Sequence, residues 1–335
     1  MSAPRIVAPA DAVVTIIVAG FDVGPYAVEA LDSLRAQTLP AWRAILVDDA
    51  STDATTEIFA AAAADDDRFM LIVQPERRGL AAARNLGLGL VATPLLGFLD
   101  ADDVLTPRAL EVLVGALERT GSDFVVGAYA RLRPLGTDSD PTTATYSVGD
   151  VQPWVAAATD PARSATTLDL HPAASGNIVA WSKISRTDFW QRTGLRFPEG
   201  RLYEDQVVAQ AMFTRARAFD VTPEVVVHWR VRPDASSITQ REAELPVLRE
   251  ALDAMRGGLG LLREAGATRA VQARAALILT MDVPRLAAIA REHPDDTYRR
   301  ALGAFAREVW LAADEDTRAT LDARAANTIA AVSLW

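Results

Sequence analysis

From residue 13 onward, short apolar runs alternate with longer stretches in which apolar residues recur three or four positions apart. Side chains alternate across a strand but return to one helix face every three or four residues, so this alternation predicts parallel strands joined by helical crossovers. The run VVTIIV at 13–18 predicts a first buried strand, and residues 25–37, with Val28, Leu31 and Leu34 in helical register, predict the helix after it. Residues 44–47 predict a second strand. Ser51, Thr52 and Asp53 are capping residue types ahead of an alanine-rich helix that reaches Ala64. Strands at 69–73 and 95–99 flank a helix at 79–91. Thr106 and Pro107 offer an N-cap and a first-turn proline to a helix ending near Arg119, and a fifth strand follows at 124–127.

Between about 134 and 172 the chain shifts toward Thr, Asp, Ser and Pro with weak periodicity, which predicts a long, partly irregular excursion of the kind that often carries binding functions. Order returns near Gly176, with a helix from about Glu204 and a strand at 225–229. From about Glu242 helical patterning dominates, at 245–262, 270–281, 298–311 and 319–332. The expected division is an N-terminal tail at 1–12, an α/β domain at 13–240 and a helical region at 241–335. No internal repeat is evident.

Composition narrows the function. The chain of 335 residues carries 34 basic against 44 acidic residues, a net charge of −10, which argues against a nucleic-acid partner because that needs a basic face. Without cysteine there is no disulfide, thiolate nucleophile or zinc–thiolate site. The first residues lack the charged head and apolar run of a signal peptide, and no stretch reaches the roughly 18 apolar residues of a membrane span. A soluble, cytoplasmic protein without a transmembrane segment is expected. Lys183 is the single lysine. In so arginine-rich a chain, its retention suggests that a compact ammonium is needed there, beneath a loop or against Glu204.

Three acidic groups fall where strands end, the place at which open α/β sheets bind ligands. They are Asp48 with Asp49, Asp100 with Asp102 and Asp103, and Glu204 with Asp205. Two carboxylates one residue apart at a strand end can face one crevice, and hard oxygen ligands suit Mg²⁺ or Mn²⁺ carrying a diphosphate. The plainer alternative is that Asp102 and Asp103 solvate a turn and that Glu204 and Asp205 favour a helix start through its dipole.

The strings TIIVAGFDVGPYAVEALDSL from Thr15, ILVDDASTD from Ile45, GLAAARNLG from Gly79 and residues 97–107 occur in this order, followed by Lys183, RFPEGRLYEDQ, HWRVR and SSIT. Over residues 13–240 the chain resembles family 2 glycosyltransferases. The resemblance implies a GT-A fold, a Rossmann-like, mostly parallel sheet flanked by helices, here followed by the helical C-terminal region. It implies an inverting transfer of a sugar from a nucleotide diphosphate donor, expected to be a UDP-sugar, to an acceptor hydroxyl of a saccharide, polymer or lipid-linked acceptor. Such enzymes serve surface polysaccharide, cell-wall polymer or glycolipid synthesis.

Residue by residue, the resemblance places Ala19, Phe21, Asp22, Asp49, Arg84 and Asp100 at the donor nucleotide, with Arg84 open to a structural role as a tie between helix and carboxylate. Asp100 and Asp102 match the Asp-x-Asp metal motif, with Asp102 the direct ligand. Asp205 matches the base that activates the acceptor, with Glu204 beside it orienting the loop or an acceptor hydroxyl. His228 is a further candidate metal ligand, and Arg230 and Arg232 are candidate diphosphate clamps because the guanidinium fork matches phosphate. Trp154 and Trp181 are candidate sugar-stacking residues, with core packing the common alternative. Ala19, Asp22 and Ala50 depart from the family's usual proline, asparagine and glycine without removing a required carboxylate. An ordinary Asp is ionised at neutral pH, so position is expected to matter more than a shifted pKa at Asp205. The C-terminal helices are expected to pack on the α/β domain, with homo-oligomerisation second and a peripheral place at the inner face of a membrane open. Rival functions are a polyol-phosphate or wall-polymer transferase of the same fold, and a non-catalytic nucleotide-binding protein.

Overall fold

The structure, a computed structural model, describes residues 11–136, 140–234, 236–237 and 240–335. The expected tail lies outside these except for its last two positions, as does the end of the SSIT string.

In chain order the first half comprises β1 (Val14–Gly20), α1 (Gly24–Arg35), β2 (Trp42–Asp48), α2 (Thr55–Asp65), β3 (Phe69–Val73), α3 (Leu80–Leu88), β4 (Leu95–Asp100), β5 (Val104–Leu105), α4 (Ala109–Thr120) and β6 (Phe124–Pro134). The second half holds β7 (Tyr146–Val151), α5 (Pro153–Thr159), β8 (Arg163–Thr166), a 3-10 turn at Pro172–Gly176, β9 (Lys183–Arg186), α6 (Thr187–Thr193), α7 (Glu204–Arg215) and β10 (Phe219–Arg230). Last come α8 (Leu245–Glu264), α9 (Thr268–Leu277), a π-helical turn at Ile278–Asp282, α10 (Val283–Glu292), α11 (Asp296–Ala312), α12 (Glu315–Ala319) and α13 (Ala323–Val332).

The pattern located the early elements, but two expected caps do other work. Asp53 accepts hydrogen bonds from the backbone N–H and hydroxyl of Thr55 and, on its other oxygen, from the N–H of Gly24, so it ties the starts of α1 and α2 together. Thr106 does not cap α4, which begins after Arg108; its hydroxyl donates to the carbonyl of Val225 at 2.8 Å and holds β10. The segment at 134–172 is more ordered than its composition suggests. Its strand β7 is half exposed and its helix α5 is short, and such pieces leave little periodic signal. Strand β9 was hidden differently: Lys183 and Ser185 are buried inside the sheet, so a strand interior reads as polar. The helix expected at 270–281 runs on through the π turn into α10, and that at 319–332 is divided between α12 and α13.

The sheet order is β3-β2-β1-β4-β9-β6-β10-β5. Strands β3, β2, β1 and β4 are parallel, as expected. Beyond β4 the sheet is mixed: β9 lies antiparallel between β4 and β6, β10 runs parallel to β6, and β5 closes the edge antiparallel to β10. The crossover from β1 leads to β2 on one side, whereas that from β3 returns across the sheet to β4 on the other side of β1, which opens a crevice at the carboxyl ends of β1 and β4. Register places the acids there, with Gly20 level with Asp48 and Ala19 level with Asp100.

Alternation along the strands feeds two cores. Ile17, Leu96, Phe98, Phe124 and Val126 pack on the face that also holds Val208 and Met212 of α7 and Leu248, Leu252, Ile278 and Phe305 of the C-terminal helices. Ile16, Val18, Leu99 and Val125 pack on the other face with Leu31 and Leu113 of α1 and α4. The C-terminal helices are therefore continuous with the core beneath the acids. Helix α3 sits close on β1: a Cβ at Gly87 would come 2.5 Å from Ile17, which explains the glycine at the end of GLAAARNLG.

Candidate functional site

The loops after β1, β2 and β4 and the start of α7 build one crevice. Two of its acids are structural. Asp48 is fully buried and accepts from the N–H and hydroxyl of Ser51 and from the hydroxyl of Thr56. Asp49 accepts from Gln74 Nε2 at 2.6 Å and from the backbone N–H groups of Arg78 and Gly79, each at 2.7 Å. Gly79 has φ of +88°, so glycine is needed where this loop enters α3. Asp22, also left-handed with φ of +48°, accepts from the N–H of Thr52 at 2.7 Å and joins the β1 and β2 loops. Phe21 lies at their edge with the Arg77 guanidinium 3.8 Å over its ring. Ala19, expected at the nucleotide, points its methyl into a small core with Ile45, Val47 and Ala83, so its side chain does not reach the crevice.

Arg84 is 2% exposed and lies between two acids, donating to Asp100 from one arm and to Glu204 Oε1 at 2.7 Å from the other. The expectation that it meets the nucleotide is corrected: both arms are spent on carboxylates. Its neighbour Asn85 clamps the RFPEG loop, accepting from the Phe197 N–H and donating to the Phe197 carbonyl and to Glu199. The GLAAARNLG string is thus a hub that fixes the start of α7 relative to β4.

Tyr203, left-handed with φ of +57°, turns the chain into α7 and presents Glu204 and Asp205 in its first turn. Glu204 is buried and committed to Arg84. Asp205 is partly exposed and, among the described residues, receives no hydrogen bond. One guanidinium faces Glu204, Asp100 and Asp205 together, so the acids cannot all ionise cheaply. Burial and then Glu204 push the Asp205 carboxyl up to about 7, while Arg84 and Lys183 pull against them. The environment of this Asp is therefore not ordinary.

Lys183 is buried and donates to the backbone carbonyls of Asn177 and Val179 and to the Asn177 side chain. It lies beneath a loop rather than against Glu204, and burial pulls its pKa down to about 7.

On the other wall, Asp102 Oδ2 accepts from Arg232 Nε at 2.8 Å. Arg230 is locked: its backbone N–H donates to Asp103, its Nε to the Asp102 carbonyl at 2.7 Å and its Nη2 to Glu29 at 2.5 Å, with its side chain 1% exposed. It has no fork left for a diphosphate, which corrects that expectation and leaves Arg232 for the role. Among the described residues three buried polar atoms here have no hydrogen-bond partner, the Tyr26 and Tyr146 hydroxyls and Asp103 Oδ2. Burial, then Asp102 and Asp100, push the Asp103 carboxyl well above the usual carboxylate range. His228 pairs with Val104 across β5, and its ring makes no hydrogen bond among the described residues. Among the described residues no three His, Asp or Glu side chains converge as a metal-holding group, so the expected set of Asp100, Asp102 and His228 is not assembled.

Pattern reasoning did not find Glu29, Asn85, Phe197 or Glu199. All four stand in the quoted strings, but nothing local marks their roles: Glu29 sits 201 positions from its partner Arg230.

A three-layered α/β fold with acids at the switch point of its sheet is the arrangement in which open α/β sheets bind ligands. Residues 15–146 match the family model described as Glycosyl transferase family 2. The fold is GT-A: S. aureus TarS 1–349 in complex with UDP-GlcNAc superposes with a TM-score of 0.69 at 18% identity, covering 92% of this chain and 83% of that one. The mannosyltransferase PcManGT from Pyrobaculum calidifontis, in complex with GDP-Man and Mn²⁺, gives a TM-score of 0.54 at 18% identity over 98% of this chain and 88% of its own. Glycosyltransferase GlyA of Streptococcus pneumoniae serotype 4 is 27% identical over 76% of this chain and 35% of its own length. The chain spans between 35% and 63% of the first curated relatives it matches. No helix among the described residues is long and apolar enough to cross a membrane.

Proposed function

We propose that the chain is an inverting glycosyltransferase that moves a sugar from a nucleotide diphosphate donor, a UDP-sugar, to an acceptor hydroxyl, with Asp205 as general base. The observation that carries this is the Asp205 carboxylate: partly exposed, without a hydrogen bond among the described residues, and held at the crevice by the Arg84–Glu204 pair. The family match and the fold shared with a UDP-GlcNAc complex support it.

In the reaction, Asp205 takes the proton of the acceptor hydroxyl as the acceptor oxygen bonds to the anomeric carbon. The bond from that carbon to the diphosphate oxygen breaks, and its electron pair leaves with the nucleotide diphosphate. Phe21 flanks the base end of the crevice, Asp49 shapes that end only indirectly by tying down the loop at residues 74–79, which corrects its expected contact with the base, and Arg232 meets the diphosphate. Glu204 holds Arg84, and through it the position of the helix that carries Asp205.

Mg²⁺ or Mn²⁺ fits the site. Such ions are commonly held by one or two carboxylates together with substrate phosphates, so no protein cage of three ligands is required. Asp102 has one oxygen without a protein partner, and the orphaned Asp103 Oδ2 and Tyr26 hydroxyl lie in the same region. The cation, when bound, neutralises charge on the leaving diphosphate. The presence of Mn²⁺ in the PcManGT complex supports this assignment.

A thermal-shift screen of UDP-, GDP-, CDP- and dTDP-sugars with and without Mn²⁺ tests the donor, because a ligand of the native state raises apparent stability. A Mn²⁺-dependent shift with UDP-sugars alone is expected; no shift with any nucleotide sugar contradicts the assignment.

A further inference from the structure

On β6, beside the acids, is a feature that the donor reaction does not use. Arg131 packs under two tryptophans, its guanidinium carbon 5.6 Å from the Trp154 ring and 5.0 Å from that of Trp229. Trp229 stacks on Trp181 at 6.4 Å, and Trp181 meets Tyr129 edge-on at 4.7 Å. Register explains the grouping: Trp229 of β10 lies level with Arg131 of β6, and the β6–β7 ladder is irregular between Ala130 and Leu132. Such irregularities re-aim side chains.

Among the described residues neither Arg131 nor Arg133 has an acidic partner or a hydrogen bond, and Arg131 Nε is buried without one. The two repel each other: burial and then Arg133 lower the pKa of Arg131. The nearby cations of the C-terminal helices are paired, Arg285 with Glu242 and Asp282, and Arg274 with Asp282. Among the described residues neither cation meets an anion, and the half-buried Arg131 beside the exposed Arg133 favours an arriving anion even in a chain with a net charge of −10. The group adjoins the base, since the charge of Asp205 acts on both Tyr129 and Tyr203, and Tyr203 is in turn next to Arg285. Trp154 and Trp229 are half-buried, each with part of its surface open.

We propose that Arg131, Arg133, Trp154 and Trp229 form the acceptor subsite of the Asp205 centre, and that this subsite selects an anionic acceptor, a saccharide or polyol chain that carries phosphate or carboxylate groups. This rests on the assignment of Asp205 as base. The open parts of the Trp154 and Trp229 rings offer apolar surface to the chain, and the two guanidinium groups offer hydrogen bonds to its oxyanions. Attraction acts locally despite the overall negative charge, because charges more than about 8 Å away are screened at physiological salt.

The test is binding of the full chain to three oligomers of equal length, a glycerol phosphate oligomer, an oligogalacturonate and a maltooligosaccharide, followed by calorimetry and tryptophan fluorescence. At low salt the anionic oligomers are expected to bind about ten-fold or more tightly than the neutral one, and the margin shrinks as salt rises. The phosphate and carboxylate arms show which oxyanion is preferred. The double variant Arg131→Gln/Arg133→Gln is expected to lose the margin, and Arg131→Lys/Arg133→Lys to keep part of it, while UDP-sugar thermal shifts stay at the wild-type value in both. Equal or tighter binding of the neutral oligomer, binding of none, or an unchanged margin in the Gln variant overturns the proposal. Because donor shifts are read separately, loss of the donor assignment is distinguishable from loss of this one.

Discussion

Arg232 donates its Nε to Asp102 Oδ2 at 2.8 Å, so the acid proposed to hold a divalent cation is already half neutralised by a cation of the protein's own. The pair is partly exposed, with side chains 15% and 16% accessible, which leaves both groups free to change partners. Arg232 and the cation then compete for one carboxylate until a diphosphate offers Arg232 another anion. Arg232→Ala is expected to tighten Mn²⁺ binding to the nucleotide-free protein several-fold, read by the electron paramagnetic resonance of free Mn²⁺, and to weaken UDP binding. Mn²⁺ affinity unchanged or lowered in the variant contradicts this competition.

Arg84 holds two acids from inside the core, so its loss is expected to be a stability effect before it is a catalytic one. Breaking a buried pair leaves uncompensated charge and costs about 3–5 kcal/mol. Arg84→Met is therefore expected to lower the Tm by several degrees, and Arg84→Lys to recover little because one ammonium cannot bridge both carboxylates. Differential scanning calorimetry checks both.

The pH dependence follows from Asp205. Its folded pKa, about 7, is above its unfolded value. The stability that comes from keeping the proton is complete below about pH 4 and is lost as pH rises through about 7. Replacing the acid by Asn removes that loss. The Tm of Asp205→Asn is thus expected to gain on that of the wild type between about pH 5 and pH 8. Turnover by the wild type is expected to rise with pH over the same interval, because only the ionised carboxylate accepts a proton. A Tm difference that is flat with pH argues against the raised pKa.

Lys183 ties the loop at residues 177–179 through three oxygens. Lys183→Met strands those acceptors in the interior, at about 1–3 kcal/mol each. Loss of several degrees in Tm is expected, with UDP-sugar binding retained by the folded fraction. A Lys183→Arg variant of wild-type stability and turnover shows instead that charge alone is needed there.

Much of this was legible in the sequence because the signal was local. VVTIIV announces a buried strand and FMLIV a half-buried edge strand, and the acids at the ends of β2 and β4 are contiguous with those strands. Strand β9 was not legible, since a buried lysine and serine replace the apolar residues that mark a strand interior. Nor were the roles of Arg84 and Arg230: an arginine bound for phosphate and one bound for a carboxylate look alike until Glu204 and Glu29 arrive from 120 and 201 positions away. The same holds for Arg131, whose lack of an acidic partner among the described residues is a property of packing and not of its neighbours in the chain.

Asp205→Asn separates chemistry from donor binding, since the substitution keeps shape and removes only the capacity to accept a proton. With UDP-sugar and an acceptor supplied, transfer is expected to fall by about 10²–10⁴-fold, while the thermal shift produced by the donor and Mn²⁺ stays at the wild-type value. Turnover by this variant within a few-fold of the wild type would mean that another group takes the proton.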